Sequence, residues 1–239
     1  MWDGRPVLGV LGGMGPLASA EFVRNLYTSH AYGSEQELPR ILLDSDPCLP
    51  DRTEAILLGR EGEFATMLGG KLAQLVERGS AHVVVVCFTA HHFLDRIDTA
   101  VQERVISLID VAMQTLATRP GRFLLLATDG ARCSRVFERH PGWHLVTDRI
   151  ELPGPADQQL IHRLIYRIKG QTVSEEEVLT QVESMRTRHL CDGLLLGCSE
   201  FHLFSTAVAA RHGEHTVIDP LRVLARDGLR DLQTKYPMY

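Results

Sequence analysis

Short apolar runs alternate with longer amphipathic stretches along the whole chain. The short runs are rich in Val, Ile and Leu, which is typical of buried β-strands. They predict strands at residues 7–11, 41–43, 82–86, 123–126, 194–196 and 216–218. The stretches between them are long enough for helices, so the alternation predicts an α/β fold built on parallel strands.

The longer stretches carry apolar residues three and four positions apart, which is the spacing of one helix face. Such faces are formed by Leu68, Leu72, Leu75 and Val76, by Val101, Val105, Leu108, Ala112 and Leu116, and by Leu160, Ile161, Leu164, Ile165 and Ile168. Ser174 followed by Glu177 predicts a capping box at the start of a further helix.

Two sequence patterns occur twice. "VVVVCFTAHHF" (83–93) and "GLLLGCSEFHLF" (193–204) are apolar runs that end at a cysteine, with a histidine four positions later. "VLGVLGGMG" (7–15) and "FLLLATDGA" (123–131) are strands followed by a loop of small residues. A repeat of this kind predicts two pseudo-symmetric parallel-sheet α/β halves with the active site in the cleft between them.

The repeat also suggests a division of the chain. We expect residues 1–98 and about 217–239 to form the first half, and residues 99–216 to form the second. The C-terminal segment would then return to pack on the first half. Parallel sheets carry their sites beyond the carboxyl ends of the strands, which is where both repeated cysteines lie.

Composition and charge narrow the function. The 239 residues are 44% hydrophobic and 23% charged, with a net charge of −5 spread along the chain. Without a basic stripe or charged tail, binding to nucleic acid or to a membrane surface has no support. The longest apolar stretch, near residues 7–20, is too short and Gly-rich to span a bilayer. An N-terminus unlike a signal peptide and an odd count of five cysteines indicate a cytoplasmic protein with free thiols.

Cys87 and Cys198 are expected to confront one another across the cleft between the halves. Two bases on opposite sides of a small molecule can remove a proton from one face and return one to the other. This inverts a stereocentre without a cofactor. Thiols suit the task because their pKa lies near ~8.5 and falls at helix N-termini or beside cations. The candidate neighbours that would orient or hydrogen-bond them are Thr89, Ser199, His91 and His202.

Two other interpretations of the cysteines stay open at this point. A buried cysteine after a strand is commonly a small core hydrophobe. Alternatively, Cys87 with His91 and Cys198 with His202 would give two thiolates and two imidazoles, a reasonable tetrahedral zinc set. Structural zinc sites normally use shorter loop spacings. The cysteines with no such pairing, taken as structural or incidental, are Cys48, Cys133 and Cys191.

A third alternative is a dinucleotide-binding oxidoreductase. "GMGPLA" (13–18) fits the pattern G-x-G-x-x-A after a strand, and the next strand ends at Asp44. That acid comes later than the ribose-binding residue should, and Pro16 lies early in the helix. A Gly-rich turn is also what any tight strand–helix junction requires.

Seven short motifs resemble those of aspartate/glutamate racemases, cofactor-independent members of the Asp/Glu/hydantoin racemase superfamily, and they occur in the same order. The resemblance spans nearly the whole chain and implies two pseudo-symmetric α/β halves with the site between them. The motifs are "GVLGGMGPLASAEF" (9–22), "DSDPCLPDRT" (44–53), "VCFTAHHF" (86–93), "LLATDGARCS" (125–134), "LIYRIKG" (164–170), "LLGCSE" (195–200) and "VIDP" (217–220).

The resemblance also implies roles for individual residues. It makes Cys87 and Cys198 the two catalytic bases of a cofactor-independent amino-acid racemase that holds no metal. Arg52 would grip the side-chain carboxylate of an acidic amino acid through its planar fork, and Lys169 would add a second cation. A homodimer is expected, since symmetric oligomers are common among soluble enzymes. The remaining substrate-binding positions are Met14, Gly15, Phe88, Thr89, Gly130, Ser199 and Glu200.

Two departures from the family pattern fall where the amino-acid head group should bind. Cys87-Phe88-Thr89 stands where such racemases usually have Cys-Asn-Thr, and Asp129-Gly130-Ala131 stands where they often have Thr-Gly-Thr. Both changes predict an altered head-group pocket, because losing a polar partner changes discrimination strongly. A lyase or decarboxylase on the same scaffold, or a ligand-binding relative, is the alternative. Retention of both cysteines favours racemisation, since a one-base reaction would not need the second.

Overall fold

The computed structural model describes residues 7–29 and 33–226. Within these residues the strands form two four-stranded parallel sheets. The first sheet has the order β2-β1-β3-β4 and the second β6-β5-β7-β8, so each sheet repeats the same arrangement. The strands are β1 (Val7–Gly12), β2 (Arg40–Ser45), β3 (Ser80–Val85), β4 (Val105–Ile106), β5 (Phe123–Leu126), β6 (Ile150–Glu151), β7 (Gly193–Leu196) and β8 (Val217–Ile218).

Helices connect the strands, as parallel pairing requires. Short 3-10 helices at Thr89–Arg96 and Ser199–Phe204 follow the two cysteine loops, and residues 220–226 are helical. Further 3-10 turns lie at Glu35–Glu37, Pro141–Leu145, Thr147–Arg149 and Glu214–Thr216. The α-helices are α1 (Pro16–Thr28), α2 (Arg52–Leu57), α3 (Glu61–Glu77), α4 (Thr99–Gln102), α5 (Leu108–Thr118), α6 (Asp129–Cys133), α7 (Pro155–Lys169), α8 (Glu175–Arg188) and α9 (Ser205–His212).

The predicted strands are confirmed, but one predicted helix is wrong. The apolar face from Val101 to Leu116 belongs to three elements, α4, β4 and α5, and Val105 pairs with Val83 of β3. The break has a local cause, because Ser107 accepts a hydrogen bond from Asp110 N–H and starts a new helix. The predicted cap at Ser174 is confirmed, since its hydroxyl accepts from Glu177 N–H.

Two edge strands lie in sheets other than those suggested by the sequence division. The sequence division places residues 105–106 in the second half, but they pair with β3 of the first sheet. It places residues 217–218 in the first half, but they pair with β7 of the second sheet. In both sheets the strand after the cysteine loop returns to the strand before that loop, which completes the repeat. The division into two halves otherwise stays a prediction.

The largest buried cluster among the described residues is continuous across the two sheets. It contains Leu8 of β1, Leu125 of β5, Leu195 of β7 and Ile218 of β8, together with the apolar faces of α1 and α5. The helical residues 220–226 also belong to it. Burying one such side chain contributes ~1.5–3 kcal/mol to the free energy of unfolding. The shared core therefore fixes one sheet relative to the other.

The length and polarity of the helices determine whether any of them could span a membrane. None of the helices in residues 7–29 and 33–226 combines the length and the apolar character needed to cross a bilayer. The long α3 is amphipathic, with Leu68 and Leu72 buried against the first sheet.

Candidate active site

Both repeated cysteines line one small cavity between the sheets. Cys87 follows β3 and Cys198 follows β7, and each is buried. The cavity, here called the thiol cavity, has a volume of about 10 Å³, which is room for about one water molecule. Its lining residues are Met14, Asp51, Arg52, Thr53, Cys87, Phe88, Thr89, Thr128, Lys169, Cys198, Ser199 and Glu200.

A larger pocket of about 300 Å³ adjoins the thiol cavity. We call it the entrance pocket. It shares Met14, Asp51, Arg52, Lys169 and Glu200 with the thiol cavity, so a molecule in the pocket reaches the groups around the sulfurs. The rest of its wall is mostly apolar and consists of Gly13, Gly15, Pro16, Leu17, Ala18, Pro47, Leu49, Ile168 and Leu203.

The Cys198 thiol is hydrogen-bonded to a neighbouring carboxylate. Its Sγ–H donates to Glu200 Oε2 at 2.8 Å, and the Ser199 hydroxyl donates to the same oxygen at 3.2 Å. Burial raises the pKa of Cys198 well above its usual range, and the Glu200 charge adds to the rise. Lys169 acts in the opposite direction. The Cys198 side of the cavity therefore favours the protonated thiol.

Arg52 brings a buried cation to the same cavity. Its Nη2–H donates to Met14 O and its Nη1–H to Pro50 O, each at 3.1 Å. Arg52 Nε is buried without a hydrogen-bond partner among the described residues. Burial lowers the pKa of Arg52, but the neighbouring Cys87 and Asp51 outweigh it and leave the pKa raised. A buried donor without a partner is costly, so this N–H is suited to an incoming anion.

Lys169 stands at the entrance within a small polar cluster. Its Nζ lies 3.8 Å from Asp51 Oδ2 and 4.4 Å from the centroid of the Tyr166 ring. Tyr166 OH also donates to Asp51 Oδ2, at 2.8 Å. Burial raises the pKa of Asp51, but hydrogen bonds from Glu54 N–H and Tyr166 outweigh it and leave the pKa lowered. Asp51 thus joins the start of α2 to the end of α7.

A second bridge crosses the cleft through hydroxyl groups. Thr89 Oγ1 and Thr128 Oγ1 are hydrogen-bonded at 2.8 Å, and both are buried. Thr128 also caps α6, because its hydroxyl accepts from Ala131 N–H. The loop after β3 and the loop after β5 are thereby held together at the thiol cavity.

The other predicted substrate-binding residues take different positions. Met14 lines both cavities, and Gly15 lines the entrance pocket with a φ of 143° that favours glycine. Phe88 lines the thiol cavity but packs on Phe137 at 5.9 Å between ring centroids. Gly130 lies outside both lining sets, against Thr53, where α2 meets α6.

The two histidines after the cysteines do not contact the thiols. His91 Nε2 accepts from Leu108 N–H, so its Nδ1–H donates to the carbonyl of Cys87. His202 Nδ1 pairs with Asp219 at 2.6 Å, and its Nε2 with Asn25 at 3.1 Å. Across residues 7–29 and 33–226, His, Cys, Asp and Glu form no cluster of three or more that could hold a metal ion. The geometry supplies no ligand set for the zinc alternative.

The chain matches a known protein family over almost its full length. A family model described as Asp/Glu/Hydantoin racemase covers residues 11–228, a range that includes both cysteine loops and the segment around Arg52. The chain belongs to the Asp/Glu/hydantoin racemase family. Asp44, the acidic residue of the dinucleotide-binding alternative, lies 3.5 Å from Lys71 Nζ through its Oδ2.

Solved structures of racemases share the fold. An aspartate racemase from Picrophilus torridus is 23% identical, with a TM-score of 0.77 over 92% of this chain and 91% of that chain. A glutamate racemase isoform from Bacillus anthracis is 19% identical, with a TM-score of 0.63 over 99% and 85%. An allantoin racemase from Klebsiella pneumoniae is 14% identical, with a TM-score of 0.63 over 98% and 90%. At these identities the match shows the fold.

Asp129 is one of the residues that depart from the usual pattern of such racemases, and its side chain points away from the cleft. Its Oδ1 accepts from Gln158 Nε2 at 2.8 Å, and its backbone N–H donates to His162 at 3.1 Å. The carboxylate therefore faces α7. The contacts described for the Asp129 carboxylate therefore do not support the expected effect of this residue on the head-group pocket.

Asp51, Thr53 and Thr128 line the thiol cavity but are not among the residues predicted from the sequence, and Tyr166 bonds to Asp51 beside it. Asp51 and Thr53 flank Arg52 inside the motif at residues 44–53, and the side chain of Asp51 caps α2, which is a usable signal. Thr128 has the same signal, a small polar residue between a strand and a helix. Nothing along the chain links Tyr166 to Asp51.

Proposed function

We propose that this protein is a cofactor-independent amino-acid racemase or epimerase that uses a thiol/thiolate pair on an acidic amino acid or a related derivative. The observation that carries the proposal is that Cys87 and Cys198, from equivalent loops of the two sheets, line one cavity. Family membership supports racemase chemistry. The acidic substrate is supported by Arg52 and Lys169 on the same walls.

The polar groups around the cavity complement a zwitterion. Arg52 Nε–H offers a donor for a carboxylate, and Lys169 adds a cation at the entrance. Glu200 Oε1 is a buried acceptor without a partner in the described part of the chain, and it suits an α-ammonium group. Bidentate binding by a guanidinium would hold the substrate in one orientation.

The chemical step needs only the two sulfurs. The thiolate of one cysteine removes the Cα proton, and the electron pair of the C–H bond moves into the adjacent carboxylate as an enediolate. The thiol of the other cysteine then donates its proton to the opposite face of Cα and becomes a thiolate. Hydrogen-bond donors beside the α-carboxylate would stabilise the developing charge in a site shielded from water. No electrons are gained or lost overall.

A panel of free amino acids, acidic and non-acidic, in deuterium oxide tests this function. We expect loss of the α-proton signal by NMR and inversion by chiral chromatography for an acidic amino acid. Decarboxylated or cleaved products would instead support a lyase on the same scaffold. Absence of α-exchange across the panel would contradict the proposal. A small-molecule substrate, a homodimer and a cytoplasmic location belong to the same proposal, and sedimentation velocity tests the dimer.

Single replacements of the cysteines test the pairing. Cys87→Ser and Cys198→Ser should each abolish racemisation, because each removes one of the two proton carriers. Each variant should still exchange the α-proton of one enantiomer, and the two variants should prefer opposite enantiomers. Cys133→Ser, at an exposed cysteine outside both cavities, is the matched control. Full racemisation by either site variant would refute the two-base mechanism.

A further inference from the structure

The two oxygens of the Glu200 carboxylate have unlike surroundings. Oε2 accepts from the Cys198 thiol and the Ser199 hydroxyl. Oε1 is buried without a partner among the described residues, and it lies 2.7 Å from where a side chain at Gly15 would begin. Substrate binding accounts for Oε1. It gives no reason for the close contact between Oε2 and the sulfur.

The contact between Cys198 and Glu200 determines which of the two groups carries the shared proton. The Cys198 sulfur is the donor of this hydrogen bond and Glu200 Oε2 is the acceptor, so the shared proton is on the sulfur and the charge is on Glu200. Ionising Cys198 as well would place two negative charges 2.8 Å apart in a site shielded from water. Like charges at such a distance strongly disfavour double ionisation.

Other charged groups face this pair from the neighbouring elements. Lys169 at the end of α7 favours the Cys198 thiolate, but it is shared with Asp51. Arg52 at the start of α2 interacts with Glu200 and also with Cys87. A thiolate at Cys87 would lie beside this guanidinium, whereas a thiolate at Cys198 would lie against a carboxylate. The two sulfurs therefore have unequal environments.

We propose that Glu200 is a positioning residue that keeps the proton on Cys198, so that the free enzyme begins with Cys87 as the base and Cys198 as the acid. The inference rests on the proposed racemase function. After one inversion Cys87 holds the substrate proton and Cys198 is a thiolate beside Glu200. The enzyme then returns to its starting form by proton exchange with water. The enantiomer whose Cα–H faces Cys87 therefore binds to an enzyme that already has its base and its acid in the required protonation states.

The test measures thiolate formation without any substrate. Iodoacetamide alkylates thiolates, and peptide mass spectrometry across a pH series gives a midpoint for each cysteine. In the unmodified protein, Cys198 should reach its midpoint at higher pH than the exposed Cys133. Glu200→Gln should lower the Cys198 midpoint by about one pH unit, a tenfold rise in thiolate fraction below it. The midpoints of Cys87 and Cys133 should not move.

Two further variants separate charge from shape. Glu200→Asp keeps the charge and should keep the Cys198 midpoint high. Glu183→Gln removes a charge on α8, where Glu183 pairs with Arg186, and should leave the midpoints of Cys87, Cys133 and Cys198 unchanged. A Cys198 midpoint that does not move in Glu200→Gln, or one that moves together with Cys87, would overturn the proposal.

The comparison within the unmodified protein does not depend on any variant folding. Cys198 and Cys133 midpoints that coincide would sink the inference by themselves. Because no amino acid is present, a failure of the racemase proposal leaves the alkylation result intact, and the two failures are distinguishable. With an active substrate, Glu200→Gln should also change kcat and KM unequally for the two directions of racemisation, while kcat/KM stays equal in both directions because two enantiomers have an equilibrium constant of one.

Discussion

At the scale of single residues, Arg52 lines the cavity while two of its three nitrogens bond to the backbone. Nη1 and Nη2 donate to the backbone carbonyls of Pro50 and Met14, which fixes the orientation of the guanidinium. The third nitrogen, Nε, is buried without a partner among the described residues. A lysine at this position has the charge but not the planar fork. Position and charge are therefore separable by one substitution.

Arg52→Lys should lower kcat/KM for the substrate by about 10- to 100-fold, since a hydrogen bond to a charged group contributes about 1.5–3 kcal/mol. Steady-state kinetics measures the change, and a thermal melt checks the fold. Arg60→Lys, at a guanidinium that lies 3.9 Å from Glu54, is the control and should have no effect. Equal kinetics in Arg52→Lys and the unmodified protein would remove Arg52 from the binding site.

At the scale of elements, a buried network anchors the turn that follows Cys198. His202 joins this turn to Asn25 of α1 and to Asp219, whose other oxygen accepts from Leu221 N–H at the start of the last described helix. Burial raises the pKa of Asp219, but His202 outweighs it and leaves the pKa lowered. A depressed folded-state pKa stabilises the protein above the unfolded pKa of about 3.9.

Asp219→Asn should lower the free energy of unfolding by about 1–3 kcal/mol at neutral pH, since His202 loses a charged partner. The unmodified protein should lose this stabilisation as the pH falls through the depressed pKa, and the variant should show a flatter dependence. Urea unfolding at several pH values measures both. Asp148→Asn, at an exposed aspartate, is the control. Parallel pH curves for Asp219→Asn and the unmodified protein would contradict this role.

The elements also show what the sequence could reveal. Long apolar runs such as 123–126 coincide with strands because burial on both faces leaves a continuous signal. β4 lies inside a longer run of apolar residues with helical spacing, so Val105 looked like part of a helix, and the two-residue β6 was not predicted. The cysteines were found because the repeat marks them. Thr128 and Tyr166 were not, because their partners lie on distant segments.

At the scale of the whole molecule, the halves meet at the cleft through polar contacts as well as through the apolar core. Tyr166 OH and Lys169 of α7 both reach Asp51 on the far side. An incoming carboxylate would compete with Asp51 for Lys169. The Tyr166 hydroxyl donates a hydrogen bond to Asp51, which weakens the attraction between Asp51 and Lys169. Lys169 is then more available to bind the carboxylate of the substrate.

Tyr166→Phe should raise KM by about 2- to 10-fold with kcat little changed, because losing a hydrogen bond of about 0.5–1.5 kcal/mol lets Asp51 pair more fully with Lys169. Initial-rate kinetics separates the two constants. Tyr27→Phe, at an exposed tyrosine of α1, is the matched control. A fall in kcat at constant KM would assign the phenol to the chemical step instead.

The repeated strand order, with a cysteine before the fourth strand of each sheet, has an evolutionary consequence. Such a repeat is what gene duplication and fusion of a single-sheet ancestor would leave behind. Two copies of that ancestor, associated about a twofold axis, would present chemically identical sulfurs to the same carbon atom. When the two copies are joined in one polypeptide, the surroundings of the two sulfurs no longer have to be identical. Selection can then tune each sulfur separately, as with a guanidinium beside one and a carboxylate beside the other.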